Sequence, residues 1–175
     1  TNFENLTGTA ASETINGDNS ANVLQGGDGA DTINGNGGND TLDSGSGDSL
    51  ANTLNGGAGD DTLTGHGGAD TLDGGTGADT ITTGSGSDTI ILKSGDGGSE
   101  IADADTITDF ADGTDALGLS GSLTFSGLTI AQGSGSNVND TLISITSTEE
   151  YLSVLQGITA TNVTASDFMS MSGSA

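Results

Sequence analysis

The sequence predicts an all-β fold, a stacked coil of nine-residue repeats followed by an antiparallel β region. Three observations lead there. A nine-residue phrase recurs four times between Gly56 and Ile90. Single aliphatic residues keep the same spacing well upstream of that stretch. Composition removes the usual sources of cohesion: 32 Gly, no Cys and a net charge of −24 against one Lys or Arg.

The phrase itself sets the local structure. It begins Gly56-Gly57-Ala58-Gly59-Asp60-Asp61-Thr62-Leu63-Thr64 and continues Gly65-His66-Gly67-Gly68-Ala69-Asp70-Thr71-Leu72-Asp73. Two more units follow, with Gly75, Gly77 and Asp79 in one and Gly86 and Asp88 in the other. The glycine-rich half permits φ > 0 and tight turns, so that carbonyl oxygens can be aimed inward. The aspartate at position 6 adds hard anionic oxygen. Carbonyls plus carboxylates suit Ca²⁺, which takes 6–8 oxygen ligands in flexible geometry. Zinc or copper would want His or Cys, and the chain has one His and no Cys. The other half of the unit, Thr-U-x, is a very short strand whose aliphatic U at position 8 points inward while its neighbours point outward.

The phrase Gly-Gly-x-Gly-x-Asp-x-U-x resembles the RTX (hemolysin-type calcium-binding) nonapeptide. That resemblance implies a right-handed parallel β-roll in which two nonapeptides make one coil. It also implies calcium between loops two units apart, shared by the position-6 aspartates and loop carbonyls of both.

Taken in order, residues 1–92 form the expected roll. Position 8 falls at Leu6, Ile15, Leu24, Ile33 and Leu42, then after a twelve-residue step at Leu54, and again every nine at Leu63, Leu72, Ile81 and Ile90. Ten units make about five coils, or about 24 Å of stack at ~4.8 Å per coil. The three surplus residues lie within Ser44 to Asn52 and are expected to bulge without breaking the stack. Residues 1–25 are degenerate repeats with Glu13 and Asn22 at position 6; terminal repeats are often atypical. The metal candidates begin after them: Gly27, Gly29 and Asp31; Gly38 and Asp40; Gly57, Gly59 and Asp61; Gly68 and Asp70; Gly75, Gly77 and Asp79; Gly86 and Asp88. Sharing two units apart pairs Asp40 with Asp61, Asp61 with Asp79 and Asp70 with Asp88. Asn52 is a weaker candidate, because its pairs with Asp31 and Asp70 lose a formal charge.

Residues 93–175 are expected to be a β cap and secretion-signal region. Asp105-Thr106-Ile107-Thr108-Asp109-Phe110 and Gly113-Thr114-Asp115-Ala116-Leu117 resemble the segment that closes many RTX rolls. Asp105, Asp109 and Asp115 either hold one further calcium or cap turns. Leu123–Phe125, Leu128–Ile130, Thr141–Ile145 and Tyr151–Leu155 read as antiparallel strands. Phe110, Phe125, Tyr151 and Phe168 are the expected plug of the open roll end, ahead of a Met-Ser-Met-Ser-Gly-Ser-Ala tail.

Several function classes drop out. With Lys93 as the sole cation there is no basic patch for nucleic acid or anionic lipid, and no apolar run reaches the roughly 18–20 residues of a spanning helix. Catalysis is not expected either: His66 has no partner for a dyad, so any activity of a longer parent protein would lie upstream of Thr1. The resemblance implies a secreted, extracellular module that folds on calcium and is exported by a type I secretion transporter. Two further readings are a calcium bridge to an acidic polysaccharide or cell-surface polymer, as in adhesins and surface layers, and ice binding through the outward threonines. Those threonines also simply suit exposed strand sites.

Overall fold

The computed structural model describes residues 5–171; Ser172 to Ala175 of the expected tail lie outside it. Among the described residues every regular element is a strand or a 3₁₀ turn. The Thr-U-x halves of successive units pair with units two further on, in parallel and in register. The roll therefore has two walls. One runs through Asn5–Thr7, Val23–Gln25, Thr41–Asp43, Thr62–Thr64 and Thr80–Thr82. The other runs through Thr14–Asn16, Thr32–Gly37, Thr53–Ala58, Thr71–Thr76 and Thr89–Leu92.

Position 8 fills the space between the walls. Leu24, Ile33, Leu42, Leu54, Leu63, Leu72, Ile81 and Ile90 are all completely buried. At about 1.5–3 kcal/mol per buried aliphatic side chain, this column is the principal apolar contribution of the roll. Leu6, in the first described strand, is 39% exposed. The twelve-residue step is absorbed as expected: Ile33 still faces Leu54 and Leu42 still faces Leu63, while Leu50 projects outward from the extra loop.

The nine-residue spacing ends at Ile90, but the stacking does not. Asp105–Ile107 lies in parallel on Thr80–Thr82, and Ala116–Leu119 lies in parallel on Thr89–Leu92. Ile107 and Leu117 are completely buried and extend the aliphatic column by one coil. Beyond it Tyr151–Leu155 stacks in parallel on Asp105–Ile107, then turns antiparallel to Thr141–Ile145, which pairs with Leu128–Gln132. Phe168–Ser170 closes the other wall against Ala116–Leu119.

Two expectations for the cap are corrected. Leu123–Phe125 is not a strand: Phe125–Gly127 is a 3₁₀ turn leading into Leu128–Gln132. Nor do the four aromatics form one plug. Phe110 is buried in the main core, and the Phe168 ring lies 5.0 Å from that of Phe125, itself 37% exposed. Tyr151 belongs to a separate cluster with Ile101, Ala104, Leu142 and Val154. Aliphatic side chains of the cap, Ile143, Leu152 and Leu155, supply the seal instead.

Candidate functional site

The glycine-rich loops connect one wall to the other, and their backbone conformation is specific. The glycines expected at the metal, Gly27, Gly29, Gly38, Gly57, Gly59, Gly68, Gly75, Gly77 and Gly86, all have φ between +96° and +148°. In two units beyond the degenerate repeats position 2 is not glycine, and there Asn36 and His66 adopt φ of +76° and +62° themselves. Gly75 shows why a side chain is excluded: a Cβ there would collide with the carbonyl of Gly57 in the coil below. Loops that must lie carbonyl-on-Cα leave no room for anything larger.

Each loop ends on its position-6 residue, and these residues form two ladders. On one, the backbone N–H of Asn22 donates to Asp40 Oδ1, Asp40 to Asp61 Oδ1 and Asp61 to Asp79 Oδ1, each at 2.7 Å. On the other, Glu13 donates to Asp31 Oδ1 at 2.8 Å, Asp31 to Asn52 Oδ1 at 2.8 Å, Asn52 to Asp70 Oδ1 at 2.7 Å and Asp70 to Asp88 Oδ1 at 2.8 Å. The structure thus brings together every pair expected from spacing. A side-chain acceptor for a backbone N–H is the same device that caps helices, here repeated once per coil on each ladder.

Only one carboxylate oxygen is used in this way. The Oδ2 atoms of Asp31, Asp40, Asp61, Asp70, Asp79 and Asp88 are buried and have no hydrogen-bond partner. All but that of Asp88, whose unit begins with Thr83, lie in a cradle roofed by the position-1 glycine. A Cβ on Gly26 would sit 2.5 Å from both Asp31 Oδ2 and the Ser44 carbonyl; one on Gly65 would sit 2.6 Å from the Thr83 carbonyl and 2.9 Å from Asp70 Oδ2. The position-1 glycines Gly26, Gly35, Gly56, Gly65 and Gly74 were missed by sequence reasoning, although the repeat itself was the signal. A buried, unpartnered carboxylate oxygen is costly. Burial pushes the Asp61 carboxyl up to about 7 and that of Asp70 up to about 6, reinforced by the neighbouring ladder charges. Asp40, Asp79 and Asp88 are raised for the same reason.

The donor set fits a hard divalent cation. It consists of carboxylate and carbonyl oxygen only, and no three acidic, His or Cys side chains converge among the described residues, so an ion here must draw on the backbone. Asn52 differs from its neighbours. Its Nδ2 donates to Asp48 Oδ2 and to the Leu50 carbonyl, both at 2.9 Å, so the extra loop satisfies this rung from within. His66 turns outward, its Nε2 3.0 Å from Asp43 Oδ1.

The three aspartates beyond the repeats do not meet at one point. Asp105 accepts from Asp79 N–H and Asp115 from Asp88 N–H, each at 3.1 Å, so they extend opposite ladders. Burial first, then repulsion from Asp79, pushes Asp105 up to about 9. Asp109 instead caps a turn, accepting from Thr83 N–H at 2.8 Å and Gly84 N–H at 2.9 Å.

Comparison with known proteins agrees with this architecture. The family model for the RTX calcium-binding nonapeptide repeat matches four copies, over residues 7–42, 16–51, 46–81 and 64–98. No curated protein matches the chain significantly. Among solved structures, the AlgE6R2 subunit of the Azotobacter vinelandii mannuronan C5-epimerase is similar, with TM-score 0.52 and 24% identity over 89% of this chain and 91% of that one. The AlgE6R3 subunit of the same enzyme aligns at TM-score 0.46 and 19% identity, covering 94% and 81%. The extracellular lipase LipA from Serratia marcescens aligns at TM-score 0.40 and 15% identity over 90% of this chain and 39% of the lipase. The first of these likenesses supports the fold.

Proposed function

Because the chain belongs to the RTX calcium-binding nonapeptide repeat family, we propose that its two aspartate ladders are calcium seats and that the metal switches the roll from an open chain to a stack. It is a calcium-binding β-roll module of several ions. The proposed ligands are the position-6 carboxylates of Asp31, Asp40, Asp61, Asp70, Asp79 and Asp88, with carbonyls of the loops carrying Gly27, Gly29, Gly38, Gly57, Gly59, Gly68, Gly75, Gly77 and Gly86. Asp105 and Asp115 continue the same rows, whereas Asn52, already satisfied by Asp48, contributes least. The observation that carries this reading is the row of buried Oδ2 atoms without partners.

Magnitudes favour a switch over a minor adjustment. Extracellular calcium modules bind with Kd of roughly 10⁻⁴–10⁻³ M. At ten times Kd each site contributes about 1.4 kcal/mol by mass action. About five sites give roughly 7 kcal/mol, comparable with the whole stability of a typical domain. With a net charge of −24 and no metal, self-repulsion opposes compaction.

In this reading the module works in a secreted protein. Where calcium is scarce the chain stays open and can pass a type I secretion transporter, and outside the cell it folds and stabilises whatever it is joined to. It carries no catalysis of its own. Circular dichroism during a calcium titration should show coil becoming β, with EDTA reversing it; a spectrum indifferent to EDTA would end the proposal. Retention on an acidic polysaccharide in calcium but not in EDTA would move the reading to a bridging module.

A further inference from the structure

Ser153 is completely buried in the cap strand Tyr151–Leu155, and its Oγ, like the Oδ2 atoms of the ladders, has no partner. Its position is not arbitrary. Ser153 pairs in parallel register with Asp105, which in turn accepts the N–H of Asp79. One row therefore reads Asp61, Asp79, Asp105, Ser153. The residue two further on is in each case a completely buried aliphatic: Leu63, Ile81, Ile107 and Leu155. Ser153 thus occupies position 6 of a coil that contains no nonapeptide at all.

A hydroxyl is costly to bury unpaired, and alanine would fill this inward site without penalty. Neighbouring parallel strands lie about 4.8 Å apart, so one ion at about 2.3–2.6 Å from each of two oxygens spans that gap. The Lys93–Ala104 excursion covers the adjoining loop, since Gly77 N–H donates to the Asp96 carbonyl at 3.2 Å. We propose that the Asp105 carboxylate and the Ser153 hydroxyl form a calcium site at the junction of roll and cap, so that the cap is clasped to the roll by metal. This rests on the calcium reading of the repeats but adds a site outside them, with a ligand type the repeat lacks.

The chain offers a reporter close to this site. It has one tyrosine and no tryptophan, and Tyr151 lies two residues, about 7 Å along the strand, from Ser153. Terbium(III) titrated into the full chain in place of calcium should give tyrosine-sensitised emission. Ser153→Ala should weaken the emitting site at least tenfold in terbium concentration, and Asp105→Asn should weaken it at least as much. The β signal in circular dichroism should persist in Ser153→Ala, which removes only an unpartnered hydroxyl. Emission unchanged by Ser153→Ala, or absent from the wild-type chain while the β transition proceeds, overturns the junction site and leaves the repeats standing. Absence of any metal-induced β transition overturns both.

Discussion

Asp61 Oδ1 accepts the backbone N–H of Asp40 across 2.7 Å, while the Oδ2 of the same carboxylate is buried with no partner. One side chain thus closes a rung of the stack and faces its neighbours with half a charge unmatched. The two oxygens have separable roles.

Asp61→Asn separates them. The amide oxygen can still accept from Asp40, as Asn52 does from Asp31, but an NH₂ group replaces the orphan oxygen and no loop residue equivalent to Asp48 is there to receive it. The midpoint of the calcium-induced β transition should rise about tenfold, equivalent to about 1.4 kcal/mol, as read by circular dichroism. A midpoint within twofold of wild type would remove Asp61 from the metal seats.

Acid should substitute for metal. In the metal-free stack the carboxyls of Asp40, Asp61, Asp70, Asp79 and Asp88 lie above the ordinary carboxylate value of 3.8, at about 7 for Asp61 and about 6 for Asp70. A raised folded value means that protonation favours the stack. That contribution is complete below about pH 4 and is lost as pH rises through about 6 to 7. EDTA-treated protein should therefore gain β signal on acidification from pH 8 to pH 5, and the calcium midpoint should rise over the same range as protons compete with metal. A chelated chain whose spectrum is flat across that interval would contradict the burial of these groups.

Gly75→Ala and Gly47→Ala form a matched pair. Both glycines have positive φ, +99° and +96°. A Cβ on Gly75 would strike the Gly57 carbonyl, whereas one on Gly47, in the extra loop, meets nothing within 4 Å. Gly47→Ala should cost only the left-handed strain, about 1 kcal/mol, while Gly75→Ala should cost several times that and spread adjacent coils. Urea unfolding at saturating calcium measures the difference; equal costs would mean that the loops are not in contact.

Much of this was legible in the residues. Positions 6 and 8 announce themselves because each coil repeats the same two demands, one inward aliphatic and one inward carboxylate. The sixth coil was hidden because its markers fall 26 and 27 residues after Ile81 and Ile90, at Ile107 and Leu117. The physical requirement is only the Asp-x-U register at the wall, and the length of the connecting loop is cheap to change. Ser153 escaped notice for a related reason: a serine inside an apolar strand carries no signal until Asp105 is seen beside it. Hydrophobicity alone places Tyr151 in the plug, but it does not tell one side of a strand from the other when the strand pairs in parallel on one edge and antiparallel on the other.

In every rung the acceptor belongs to the later coil and the donor to the earlier one, from Glu13 on Asp31 to Asp88 on Asp115. The molecule consequently has a grain, like a filament with two unlike ends. A block cut from it would show bare carboxylates at its leading face and bare amides at its trailing face. Such blocks are complementary head to tail and mismatched head to head.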